Sequence, residues 1–288
     1  MDMGLALDQA GKDAPMMWLL IAWVLDRAQM KLALPFYGSI YCGIGAVDGV
    51  NTRTADAPMV YRVLVPWLIG LAERIAPRLK AYRLTALYEP LKIGLMALAL
   101  WTVSEALGER SALLLAAMLP LSFSFEYWDW AGELAGLALA LTGNLPMAVG
   151  GALLAGLSRP ETSPLVAMTY ALVTGDWPGG TVLAFMAAAT WSLVRWRQGA
   201  HVLYCERVMW RVNLADVRGL LRNRPVYLSE IGMTLLLTGL TLATVVSGRA
   251  GAAWPVPLAL LAAGWLLARA AETRVFTSCL LWAVMLWR

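Results

Sequence analysis

Apolar residues run almost unbroken from Ser111 to Trp196, and the charges inside that stretch fall mainly in two short clusters, FEYWDWAGE and SRPET. A helix needs about 20 mostly apolar residues to cross the hydrocarbon layer of a bilayer. Residues 177–194, 231–247 and 250–268 carry no charge or almost none and approach that length. Further apolar runs fall near 85–107, 111–125, 128–143, 145–158 and 162–175. The pattern predicts an all-α polytopic transmembrane helix bundle of about eleven segments. Several of the middle segments are short and are bounded or broken by Pro120, Pro146, Pro160, Pro164 and Pro178. Broken helices are tolerated at membrane depth where they are buried in protein or line a hydrated cavity, so such a cavity is expected among them. The small-residue stretch MAVGGALLAGLS suits close helix packing.

Charge sets the expected topology, because cytoplasmic loops collect Lys and Arg. ERIAPRLKAYR is basic, and residues 195–224 carry seven arginines against Glu206 and Asp216. Both segments are expected on the cytoplasmic side, and six apolar runs between them agree with that. Working backward, MVYRVLVPWLIGLA enters from outside, residues 16–36 leave the cytoplasm, and residues 37–61 form an outer loop. Asp26, Arg27 and Lys31 interrupt the first run, which a buried ion pair or a shorter helix would explain. The basic segment 195–228 mixes Val208, Val212 and Leu220 with arginines, as an amphipathic helix on the inner leaflet would. Arginines beside membrane spans are ordinary topology determinants, so no nucleic-acid partner is expected. The whole chain, 1–288, is taken as one integral membrane domain.

Composition agrees. With 60% hydrophobic and 15% charged residues, the chain has more apolar surface than a single soluble core can hide. Fourteen tryptophans, many near the ends of apolar runs, fit interfacial aromatic belts. The N-terminus is acidic before the first apolar run and has no small-residue cleavage site, unlike a cleaved signal peptide. Three well-separated cysteines, Cys42, Cys205 and Cys279, argue against a disulfide framework or a zinc site. His201 is the sole histidine, which excludes bis-histidine haem within one chain, and no lysine follows Lys92, which excludes a late-helix retinal Schiff base.

Candidate chemistry lies where charge interrupts the apolar pattern. YCGIGAVDGVNTRTADAPMVYR holds Asp48, Asp56, Arg53 and Arg62. A carboxylate on such a loop suits a general base or a divalent-cation ligand, and arginines suit a phosphate. A solvated loop with two incidental acids is the plainer alternative. Glu126, Asp129 and Glu133 stand at helical spacing and can project toward one cavity. Their neighbours Tyr127, Trp128 and Trp130 offer stacking faces for a sugar or mark an interface. Around Pro160, Arg159 and Glu161 sit on a rigid break, ready for an anion or simply paired. Glu272 and Arg274 pose the same choice near the C-terminus.

The order of these segments resembles small bacterial integral-membrane proteins related to the GT-C glycosyltransferases. The likeness rests on YRVLVPWL after an acidic outer loop, a proline-terminated helix followed by EYWDWAGE, then GLSRPET, the basic loop and ETRVF. The resemblance implies a multi-pass protein of the bacterial inner membrane that takes a sugar from a polyprenyl-phosphate donor at the outer face, with membrane lipids as its surroundings. It implies that Asp48, with Asp56 second, is the catalytic base or the ligand of a divalent cation. Arg62 and Arg159 would contact the donor phosphate, Glu126 and Asp129 the sugar or acceptor, with Glu161 and Arg274 also in the substrate site. A transporter or channel, and a non-catalytic subunit of a larger membrane complex, are the competing classes. By segment count EYWDW and RPET face the cytoplasm, opposite Asp48, and only broken helices reaching a shared cavity would bring them together.

Overall fold

A computed structural model describes residues 15–28, 42–55, 61–119, 128–160, 162–199, 211, 214, 218, 225–251, 254–267 and 276–284. The described residues are helical with no strand. The first helices among the described residues are α1 (residues 15–28) and α2 (Cys42–Thr52), followed by α3 (Leu64–Ile75). A 3₁₀ stretch, Pro77–Tyr82, passes through a π-helical stretch, Arg83–Tyr88, into α4 (Glu89–Leu107). Then come α5 (Glu109–Met118), α6 (Asp129–Leu141), α7 (Leu145–Ser158), α8 (Pro164–Thr174) and α9 (Trp177–Gln198). The last three are α10 (Pro225–Val246), α11 (Pro255–Leu267) and α12 (Thr277–Val284).

The six apolar runs expected between the basic segments are six helices. Among the described residues, only the continuous helix Pro77–Leu107 is long and apolar enough to cross a membrane. Apolar helices such as Leu145–Ser158 and Pro164–Thr174 are shorter. Fourteen residues of helix rise about 21 Å, short of a hydrocarbon layer of about 30 Å.

Helix α6 is the centre of the fold, with every residue buried. A helix apolar all round belongs in a core, and DWAGELAGLALAL achieves this with small residues that let neighbours approach. A Cβ at Gly136 would lie 2.6 Å from the carbonyl oxygen of Gly151, and one at Gly151 2.5 Å from that of Gly136. The expected close packing of MAVGGALLAGLS is therefore made against α6, and α4, α8 and α12 complete its surroundings.

Short turns fix the direction of each helix. Asn144 caps α7 by accepting from Met147 N, and Asp176 caps α9 by accepting from Gly179 N, each just after a turn of a few residues. The pairs α6–α7 and α8–α9 are consequently antiparallel hairpins, and Gly143 lies against Thr174 at their shared end. The opposite end carries the start of α6, the end of α7, the start of α8 and the end of α9. Helix α4 also starts there, since Tyr88 packs edge-on against Trp128.

This geometry corrects two expectations. MVYRVLVPWLIGLA does not run from one end of the bundle to the other: its helix α3 stays at the end where α6 starts, with Leu64 near Gly132 and Glu73 paired with Arg83 just before α4. Asp48 and the ERIAPRLKAYR segment do not occupy opposite faces either, because Arg83 Nη1 and Asp48 Oδ1 are 2.6 Å apart. Tertiary ion pairing gathers at one end the polar segments that a count of spans alternates.

Candidate functional site

Three charged groups occupy this end, one sealed, one open and one beside the start of α4. The sealed one begins on α6. As α6 is buried throughout, Asp129 in its first turn and Glu133 one turn later cannot reach solvent, and both need cationic partners. Arg62, just before α3, reaches Asp129 at 2.6 Å. Arg159, just after α7, pairs with Glu133, and its Nε lies 3.8 Å from Asp129. The close approach is set by Gly132, where a Cβ would stand 1.9 Å from Ser158 Oγ. Two cations and two anions balance, all four side chains at most 8% exposed.

Arg62, Asp129 and Arg159, expected to hold substrate, are thus brought together, but as partners of one another. Asp129 and Arg159 also share one end with Asp48, contrary to the segment count. Asp56, Glu126, Glu161 and Arg274 lie outside the described residues.

The open group surrounds Asp48, which stands exposed on α2 at the edge of a pocket of about 690 Å³. Three hydrogen bonds build the pocket from distant segments. Gln198 Nε2 donates to the carbonyl of Val50 (3.1 Å), Asn51 Nδ2 to that of Pro66 (3.0 Å), and the Tyr61 hydroxyl to that of Gly199 (3.2 Å). They tie α2, α3 and the end of α9 together. Arg83 anchors the site through a two-pronged pair with Glu73, using Nε and Nη2, and offers Nη1 to Asp48. Hydrogen bonding to Arg83, followed by burial acting the other way, holds the Glu73 carboxyl below its ordinary range. Arg83 opens the π-helical stretch, a conformation frequent at functional sites.

Arg53, Arg74, Lys80 and Arg197 also line the pocket, with Trp67, Trp196, Leu71 and Leu193 as its aromatic and apolar wall. Sequence reasoning treats Arg74, Lys80 and Arg197 as topology charges, and nothing in their local spacing marks them as neighbours of Asp48. Arg53 carries a local signal visible only in the fold: its φ of 63° is left-handed, unusual for a residue with a side chain. It ends α2 where Thr54 N and Ala55 N bond back to the Gly49 carbonyl.

A third ion-paired group lies beside the bundle's start. Asp26, fully buried on α1, meets Lys92 at 2.7 Å and Arg27 at 2.9 Å, and Arg27 reaches Glu89 at 2.7 Å. The ion pair expected to relieve the charged interruption of the first run is therefore made by Asp26 and Arg27, with α4 supplying the further partners. No group of three or more metal-ligating side chains is present among the described residues. No family model, no curated protein and no solved structure matches the chain.

Proposed function

We propose that this chain is a polytopic membrane glycosyltransferase that takes a sugar from a polyprenyl-phosphate donor at the outer face of the bacterial inner membrane. The observation that carries the reading is the exposed carboxylate of Asp48 on a polar pocket whose wall includes the exposed apolar side chains Leu71, Leu193 and Trp196. Leu71 and Ile75 of α3, and Phe185, Leu193 and Trp196 of α9, are all more than half exposed. Exposed apolar side chains on neighbouring helices suit contact with lipid, and a lipid tail lying along them leaves its headgroup beside Asp48.

In this mechanism Asp48 accepts the proton of the acceptor hydroxyl while that oxygen bonds to the sugar's anomeric carbon. The bond from that carbon to the donor phosphate oxygen breaks, and the phosphate leaves with the electron pair. Arg83, held by Glu73, orients Asp48. Cations of the pocket stabilise the departing phosphate, while Arg62 and Arg159 act at a distance by fixing α3, α6 and α7. Trp67 and Trp196 offer faces for a sugar ring.

A second reading, transport, is favoured by Asp26 and Lys92, since ionisable residues inside a membrane bundle often mark a pathway. One experiment separates the two. Asp48→Asn in proteoliposomes supplied with lipid-linked sugar and acceptor should abolish transfer while leaving expression and thermal midpoint unchanged. Full transfer by the variant removes Asp48 from the mechanism. Solute flux by the wild type, without covalent change in any lipid, replaces the enzyme reading with the transporter.

A further inference from the structure

We propose that the Asp48 pocket binds a diphosphate directly on its cationic side chains, with no divalent cation between them. The inference rests on the reading of this pocket as a substrate site and changes the donor's linkage there from one phosphate to two. Five cations line the pocket, Arg53, Arg74, Lys80, Arg83 and Arg197, against two acids, Asp48 and Glu73. Glu73 spends both carboxylate oxygens on Arg83 and Asp48 spends one, which leaves a single carboxylate oxygen for a metal ion. A divalent ion would have to displace a guanidinium to gain a second and settle in a field already positive. The other four cations make no ion pair among the described residues.

The surplus of three positive charges exceeds what a singly charged phosphodiester needs and matches the two to three charges of a diphosphate. Arginine recognises such oxygens through paired hydrogen bonds. A left-handed backbone at Arg53 strengthens the case. Glycine would take that conformation more easily, so the position keeps a cation beside the pocket at a cost in backbone energy. The volume of about 690 Å³ leaves room for groups on either side of a diphosphate.

The test is calorimetric titration of the detergent-solubilised full chain with sodium pyrophosphate in EDTA, and again with excess Mg²⁺. Pyrophosphate should bind in EDTA at least about tenfold tighter than orthophosphate, and Mg²⁺ should not tighten it. Arg74→Ala and Arg197→Ala should each weaken binding by about tenfold, while Arg110→Ala, beyond the far end of α4, should not. Arg53→Gly keeps the fold testable, because it should weaken binding with an unchanged or higher thermal midpoint. Farnesyl diphosphate identifies the source of the group. Binding tighter than pyrophosphate means that a lipid tail uses the Leu71, Leu193 and Trp196 wall, and equal binding means a free diphosphate.

Binding seen only with Mg²⁺, no preference over orthophosphate, or indifference to the arginine variants overturns the proposal. Asp48→Asn should bind pyrophosphate at least as tightly as wild type while losing transfer. Diphosphate binding without glycosyl transfer would defeat the enzyme reading alone, and transfer that needs Mg²⁺ for binding would defeat this one alone.

Discussion

Arg159 sits where two opposite demands meet. It is 4% exposed, which would be prohibitive for a lone guanidinium, and it is matched by Glu133 and Asp129 on the central helix. A buried ion pair gains little net stability over a well-packed apolar replacement, but breaking one strands a charge and costs about 3–5 kcal/mol. Arg159→Met should therefore lower unfolding free energy by about that amount, measured by denaturation in detergent. Combining it with Glu133→Leu should restore most of the loss. Additive losses in the double variant would show that the two side chains do not share their stability. Asp48 contrasts with this network, being more than half exposed and ion-paired with Arg83 alone among the described residues. Exposure leaves it available to a ligand, whereas Asp129 is already consumed.

At the scale of elements, the distinction between glycines that pack and glycines that do not is sharp within one helix. Gly136 on α6 faces the backbone carbonyl of Gly151 on α7, so a methyl group there must push two helices apart. Gly136→Ala should destabilise by about 1–3 kcal/mol. Gly150, beside Gly151, has nothing within 4 Å of the point where an added methyl group would stand. Gly150→Ala should be neutral or stabilise by up to about 1 kcal/mol, because alanine is the better helix former. Thermal unfolding of both variants checks the pair, and equal losses would refute the α6–α7 contact. Periodicity and length make the helices legible: six apolar runs are six helices, bounded by Gly108, Asn144, Gly175 and Asp176 much as turn chemistry requires. Their arrangement in space is not legible in the same way. Arg62 and Asp129 are ordinary interruptions in the sequence, and their partnership depends on the start of α3 meeting the start of α6. The pocket cations are hidden for the same reason, since Arg53, Arg83 and Arg197 come from three distant segments.

Over the whole molecule, the gathering of charge at one end alters what the arginines say about orientation. The positive-inside rule weighs Lys and Arg in loops beside membrane spans, and by that count the pocket end would face the cytoplasm. Here Arg62, Arg83 and Arg159 are neutralised by carboxylates, and Arg53, Arg74, Lys80 and Arg197 line a pocket. Charges retained for a site lose their value as address labels. The proposed outward orientation instead follows α1, whose Asp26 meets Lys92 near the start of α4 and so carries the chain from the far end toward the pocket. With Cys42, Cys205 and Cys279 replaced, single cysteines at Arg53 and Arg197 should react with an impermeant maleimide in intact cells. Cysteines at Asn144 and Arg110 should react only after permeabilisation. Reversal of all four would place the pocket in the cytoplasm and move any transfer to the inner face, where soluble activated sugars compete with lipid-linked donors. Reactivity of Arg53 and Arg197 from opposite sides would break the pocket itself, because both positions line the same cavity.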